Sequence, residues 1–178
     1  MNRILVKTGI GVVSLLLLLS ACGGEKAKKE VTEADRQQAK ALVEKGKNFA
    51  SQGAAQSEQA VKAFKEAIQL YPTYAAAYNA LGMVQRERRQ FTEARQSLQK
   101  AIELDADYAE AYMNLGFVYY VDGVLDKAIE SHRKAIEHKA DYGEAHYYLG
   151  KAYVGQGKLA DARQHIQKSK ELGFTPEP

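Results

Sequence analysis

Much of what a catalytic or nucleic-acid-binding protein needs is scarce in this chain. It has one cysteine, Cys22, so no disulfide can close within it and no paired-thiol metal motif is available. It has no tryptophan and three prolines, at 72, 176 and 178, which leaves long stretches free to be helical. Its four histidines, at 132, 138, 146 and 165, include no pair four residues apart. No glycine-rich phosphate loop, serine-centred elbow or paired-carboxylate motif occurs, so no catalytic residue and no metal site is expected. Charge of one sign is also missing. Taking Arg3 and Lys7 from the 25 basic residues leaves 23 against 22 acidic ones, without the basic stripe that nucleic-acid binding requires. The longest apolar run, residues 9–19, is shorter than the roughly 20 residues that span a bilayer.

What is present begins with that run. Arg3 and Lys7 stand before it without an acid, which is the layout of a secretory signal. It ends in Leu19-Ser20-Ala21-Cys22: an aliphatic residue, two small ones, then the lone cysteine. This resembles the lipobox of bacterial lipoproteins. The resemblance implies a signal peptide at 1–21, cleavage before Cys22, a covalent lipid on Cys22 as the only added group, and a tether at 22–33. Two or more acyl chains anchor a protein stably to a membrane without spanning it. Position 23 is Gly rather than Asp, which by the same resemblance implies the periplasmic face of the outer membrane in a Gram-negative cell envelope.

The remainder repeats itself. A shift of 34 residues aligns 75–108, 109–142 and 143–176. Leu81-Gly82, Leu115-Gly116 and Leu149-Gly150 fall in register. So do Ala94, Ala128 and Ala162; Ala101, Ala135 and Ser169; and Tyr74, Tyr108 and Tyr142. A fixed period of this length indicates stacked supersecondary units. The segment 39–74 is a degenerate first copy, with Leu42, Gly46 and Phe49 followed by Ala60, Phe64, Ala67 and Pro72, and with two extra residues within 54–58. Thr32 and Asp35 have the spacing of a capping box. Ile68, Ile102 and Ile136 are succeeded by Lys170, and the last helix, about 159–172, keeps a narrow apolar stripe (Ala162, Ile166, Leu172), as a terminal cap requires.

These residues resemble the tetratricopeptide repeat family. The resemblance implies an all-α fold, a right-handed superhelical solenoid of four helix-turn-helix repeats within a domain at 34–176, followed by a two-residue tail at 177–178. It places a protein-binding groove on the first helix of each repeat. Transferred by register, the groove residues are Met83, Arg86, Met113, Phe117, Tyr120, Tyr147 and Lys151, with Val43, Lys47, Ala50, Asn79, Glu87, Val121 and Val154 beside them. Tyr78, Tyr112, Tyr119 and Tyr153 fall at packing positions, and His132 and His146 are expected as packed, hydrogen-bonded core residues. Only Asn114 falls at an asparagine position of the family's carboxylate clamp. The function expected is a membrane-anchored scaffold, similar to pilus-assembly lipoproteins, that binds a peptide or helix of an envelope protein and no nucleic acid. The alternative is a self-associating structural lipoprotein.

Overall fold

The structure, a computed structural model, describes residues 30–176. The signal-like start and Cys22 lie outside the described residues. Within residues 31–176 eight α-helices follow one another: α1 (Glu33–Ser51), α2 (Ser57–Leu70), α3 (Ala75–Glu87), α4 (Phe91–Leu104), α5 (Ala109–Val121), α6 (Leu125–His138), α7 (Gly143–Gly155) and α8 (Leu159–Glu171). There is no strand among the described residues, and no helix there is long and apolar enough to cross a membrane. The capping box forms. Asp35 donates its amide to Thr32 Oγ1 at 3.1 Å, and Thr32 donates its own to Asp35 Oδ2 at 3.0 Å. The two extra residues of the first repeat are taken up in a 3-10 turn at Ala54–Gln56.

Each helix packs on the next, so the fold is a solenoid of helical hairpins. The two layers are not equivalent. Helices α1, α3, α5 and α7 also pack on one another in sequence, whereas α2, α4, α6 and α8 make no such contacts. The odd-numbered helices therefore form the tighter, inner layer, and the surface they share is the inner face.

The repeated glycine explains how each hairpin closes. A methyl group at Gly82 would lie 2.6 Å from Leu98 Cγ, one at Gly116 2.6 Å from the His132 ring, and one at Gly150 2.6 Å from Ile166 Cγ1. Phe64 fills the same place over Gly46. One large side chain of each even-numbered helix thus sits on the bare backbone of its partner. Phe64, Leu98 and His132 are fully buried there. For the apolar pair, burial contributes about 1.5–3 kcal/mol each.

The turns inside repeats two to four are alike. Gly123 N–H reaches Tyr120 O and Val124 N–H reaches Tyr119 O; Gly157 and Lys158 bond the carbonyls of Val154 and Tyr153 in the same way. These close the helix C-termini through a left-handed residue. In repeat two that residue is Arg89, with φ 60°, and the bonds run Arg89 N–H to Arg86 O and Gln90 N–H to Gln85 O. A side chain in this region costs about 1–2 kcal/mol. Arg89→Gly is therefore expected to stabilise the array by about 1 kcal/mol, read as a rise in urea midpoint with unchanged slope; a fall would mean the arginine side chain makes up for its backbone. Ser169 offers a second gain. It is 1% exposed, its hydroxyl has no partner among the described residues, and Ala101 and Ala135 hold the same position. Ser169→Ala is expected to stabilise by about 1 kcal/mol in the same measurement.

Candidate functional site

The inner face of repeats two to four carries a cluster of partly exposed aromatic rings. Phe117 on α5 meets Tyr148 on α7 edge-on, with ring centroids 5.0 Å apart. Tyr148 also contacts Tyr120 at 6.3 Å and Tyr147 at 5.2 Å. Two cations lie on this surface. The Arg86 guanidinium sits 4.8 Å from the Phe117 centroid, and Lys151 Nζ stands 5.8 Å from Tyr120 and 5.7 Å from Tyr147. Such contacts contribute about 0.5–1 kcal/mol at exposed sites and more when desolvated. Neither cation makes an ion pair within 4 Å among the described residues.

Water is partly excluded around them. Burial raises the Glu144 carboxyl above its usual range, with the Arg86 charge opposing the rise. Burial likewise pushes the phenols of Tyr142, Tyr148 and Tyr108 up. A surface of rings and hydrocarbon with two cations and a half-buried carboxylate can take apolar side chains and orient them by charge. It holds no nucleophile with an adjacent base. No group of three or more His, Cys, Asp or Glu among the described residues could hold a metal ion.

Of the residues expected to line the groove, Arg86, Phe117, Tyr120, Tyr147 and Lys151 come together in this cluster, all partly exposed. Met83 is partly exposed on α3 and packs against the core of the first two repeats. Met113 corrects the expectation. It is 4% exposed, packed with Ala135 and Ala145 under Tyr142, and lies in the core rather than on the groove wall. The same reason places Asn79 inside: the Tyr108 hydroxyl, at the equivalent loop position, accepts a bond from Asn79 Nδ2 at 3.3 Å. At the last repeat Phe174 performs this role, its ring 5.5 Å from Tyr147. Asn114 is also buried, its Nδ2 donating to Asn79 Oδ1 at 3.1 Å while its own Oδ1 has no partner among the described residues.

Two residues were missed from sequence. Tyr148 stands in register with Ala80 and Asn114, so the period gave no reason to single it out, yet it is the hub of the cluster. His165 pairs with His146, whose Nδ1 atoms are 3.0 Å apart. The expectation of hydrogen-bonded core histidines holds for His146, which bonds the Ala140 carbonyl at 3.2 Å. His132 corrects it: neither of its ring nitrogens has a partner among the described residues, and the ring is stacked near Tyr148 at 6.0 Å. Of the tyrosines expected at packing positions, Tyr119 is buried, while Tyr78, Tyr112 and Tyr153 are partly exposed.

Comparison with known proteins agrees with this architecture. Tetratricopeptide repeat profiles match residues 63–96, 84–123, 122–157 and 144–171. No curated protein matches by sequence. Among solved structures, a crystal structure of MamA is 34% identical with a TM-score of 0.68, over 79% of this chain and 81% of that one. MamA from Desulfovibrio magneticus RS-1 is 26% identical with a TM-score of 0.66, over 78% and 77%. The first tetratricopeptide domain of Spaghetti (RPAP3), bound to the HSP90 peptide SRMEEVD, shares the fold at 20% identity and a TM-score of 0.65, over 68% and 95%. The chain belongs to the tetratricopeptide repeat family, whose arrays are scaffolds for protein–protein interaction.

Proposed function

We propose that this protein is a lipid-anchored scaffold of the bacterial cell envelope that docks a peptide or helix of an envelope protein on its inner face. The observation that carries the groove is the cluster of Phe117, Tyr120, Tyr147 and Tyr148 with Arg86 and Lys151 set over the rings. Partly exposed aromatics and arginine are the side chains that dominate binding energy at interfaces. The RPAP3 domain, bound to a peptide, shows that this fold accepts one. Affinity is expected on the order of micromolar, about −8 kcal/mol, raised in effect by confinement to a surface. The anchor rests on Leu19-Ser20-Ala21-Cys22, and the outer-membrane address on Gly23.

The test is a crosslinking pull-down from envelope membranes with the full chain and with Phe117→Ala/Tyr120→Ala. A partner held by the first and lost by the second supports the groove; equal capture by both removes it. Incorporation of a radiolabelled fatty acid that Cys22→Ala abolishes supports the anchor, and incorporation that survives this change removes it. A second reading, end-to-end self-association, is favoured by one observation. Val154 and Leu159, 50% and 65% exposed, line a cleft with Ala162 and Ile166 at the last hairpin, where an earlier repeat would meet its successor. Light scattering that grows in mass with concentration would support it.

A further inference from the structure

One titratable pair is explained neither by packing nor by the groove: His146 on α7 and His165 on α8. Position 146 is tyrosine in repeats two and three, and Tyr78 donates its hydroxyl to the carbonyl of Pro72, six residues back, at 3.2 Å. His146 Nε2 makes the same connection to the carbonyl of Ala140, also six residues back, at 3.2 Å. A side chain that does not titrate near neutrality thus serves this position elsewhere in the array. Because a carbonyl only accepts, His146 Nε2 carries a proton and the neutral ring presents the Nδ1 lone pair. That lone pair faces His165 Nδ1 at 3.0 Å, so His165 is the donor between them. The rings stack at 5.3 Å, and His165 also stacks on Tyr153 at 5.7 Å.

The charges around the pair come from two helices: Arg133 on α6, and Asp161 and Lys168 on α8. Burial is the main reason both imidazoles resist protonation; the two cations add to it and Asp161 opposes it. One added proton is tolerated, since a single N–H can still lie between the two Nδ1 atoms. A second puts N–H against N–H and two cations face to face, and the bond is lost. The pair titrates as a unit, in two steps.

What the bond holds is weakly held otherwise. Helix α8 packs on α7 alone, and its buried residues are Ala162 and Ser169. The chain leaves α8 through Gly173 and returns Phe174 N–H to Ser169 O, setting the Phe174 ring on Tyr147. We propose that the His146–His165 pair is a proton-operated latch: with at most one added proton it seats α8 on α7 and keeps Phe174 over Tyr147, and the second proton releases both. The inference goes beyond the scaffold reading and needs no partner for its test.

The experiment is hydrogen exchange followed by mass spectrometry on the full chain from pH 7.5 to 5, corrected for intrinsic rates. It is run on the protein and in a His132→Leu background, which removes the acid lability of α6. The linkage sign is that protection is present at high pH and lost as pH falls below the ordinary histidine range. Peptides from 159–176 should lose protection by about tenfold per pH unit for each proton taken up, while those from α4 and α6 keep theirs. His165→Gln, and independently His146→Tyr, should abolish that dependence. Loss of protection in α8 and α6 together in the His132→Leu background, or unchanged pH dependence in His165→Gln, would overturn the proposal.

Discussion

Replacing His132 with leucine is expected to stabilise the array at pH 7 by about 1–3 kcal/mol, because two buried ring nitrogens without partners are removed, and to flatten its response to acid. His132 is 0% exposed and rests on Gly116 as Leu98 rests on Gly82, so leucine has a precedent at the site. Burial pushes its imidazole down to about 3. The folded protein therefore keeps the ring neutral, while the unfolded chain takes a proton near 6.5. The contribution is present in full above pH 6.5 and is lost progressively from there down to about pH 3, amounting to roughly 5 kcal/mol across that window. Urea melts of the protein and of His132→Leu between pH 7 and pH 4 check it. The two curves should diverge as pH falls; parallel curves would show that this ring is not what acid attacks. The residual slope of the variant belongs to His146, His165 and the carboxylates.

The second large effect concerns the glycine seats. Leu98→Ala is expected to cost about 2–5 kcal/mol, since a fully buried side chain is removed. Gly82→Ala should also destabilise, by about 1–3 kcal/mol of packing strain, despite the gain of about 1 kcal/mol that alanine brings to a helix. Its methyl would stand 2.6 Å from Leu98 Cγ and 3.3 Å from the Ala94 carbonyl oxygen. In the Leu98→Ala background the first clash is gone, and the same substitution should become favourable. That reversal of sign in a double-mutant cycle distinguishes a side chain seated on a glycine from a helix that merely dislikes change. Additive costs would contradict it.

How much of this was legible follows from what periodicity can carry. Leu81-Gly82 and its copies, the small residues at 94, 128 and 162, and the shared tyrosine at 74, 108 and 142 fixed the hairpins and their count, since each position has one mechanical role. The inner face was legible where register alone decides exposure, as for Arg86, Phe117 and Tyr120. It failed at Met113 because exposure there is decided by the loop residue that closes its own repeat, Tyr142, which covers it. Tyr147 holds the same register and stays partly exposed, with Phe174 standing 5.5 Å away in place of that tyrosine. Tyr148 and His165 depend on partners in neighbouring elements, which a 34-residue ruler does not bring together. His132 looked like a hydrogen-bonded residue because its chemistry asks for a partner, but its position asks for an apolar knob, and position prevailed.

The central claim is that the aromatic inner face receives the partner, and photo-crosslinking tests it most directly. A benzoylphenylalanine placed at Phe117, on the inner face, is compared in envelope membranes with one at Gln99, an exposed residue on α4 of the outer layer. Adducts to a partner from position 117 and none from position 99 are the expected result. Adducts from position 99 alone, or from both in equal yield, would contradict it.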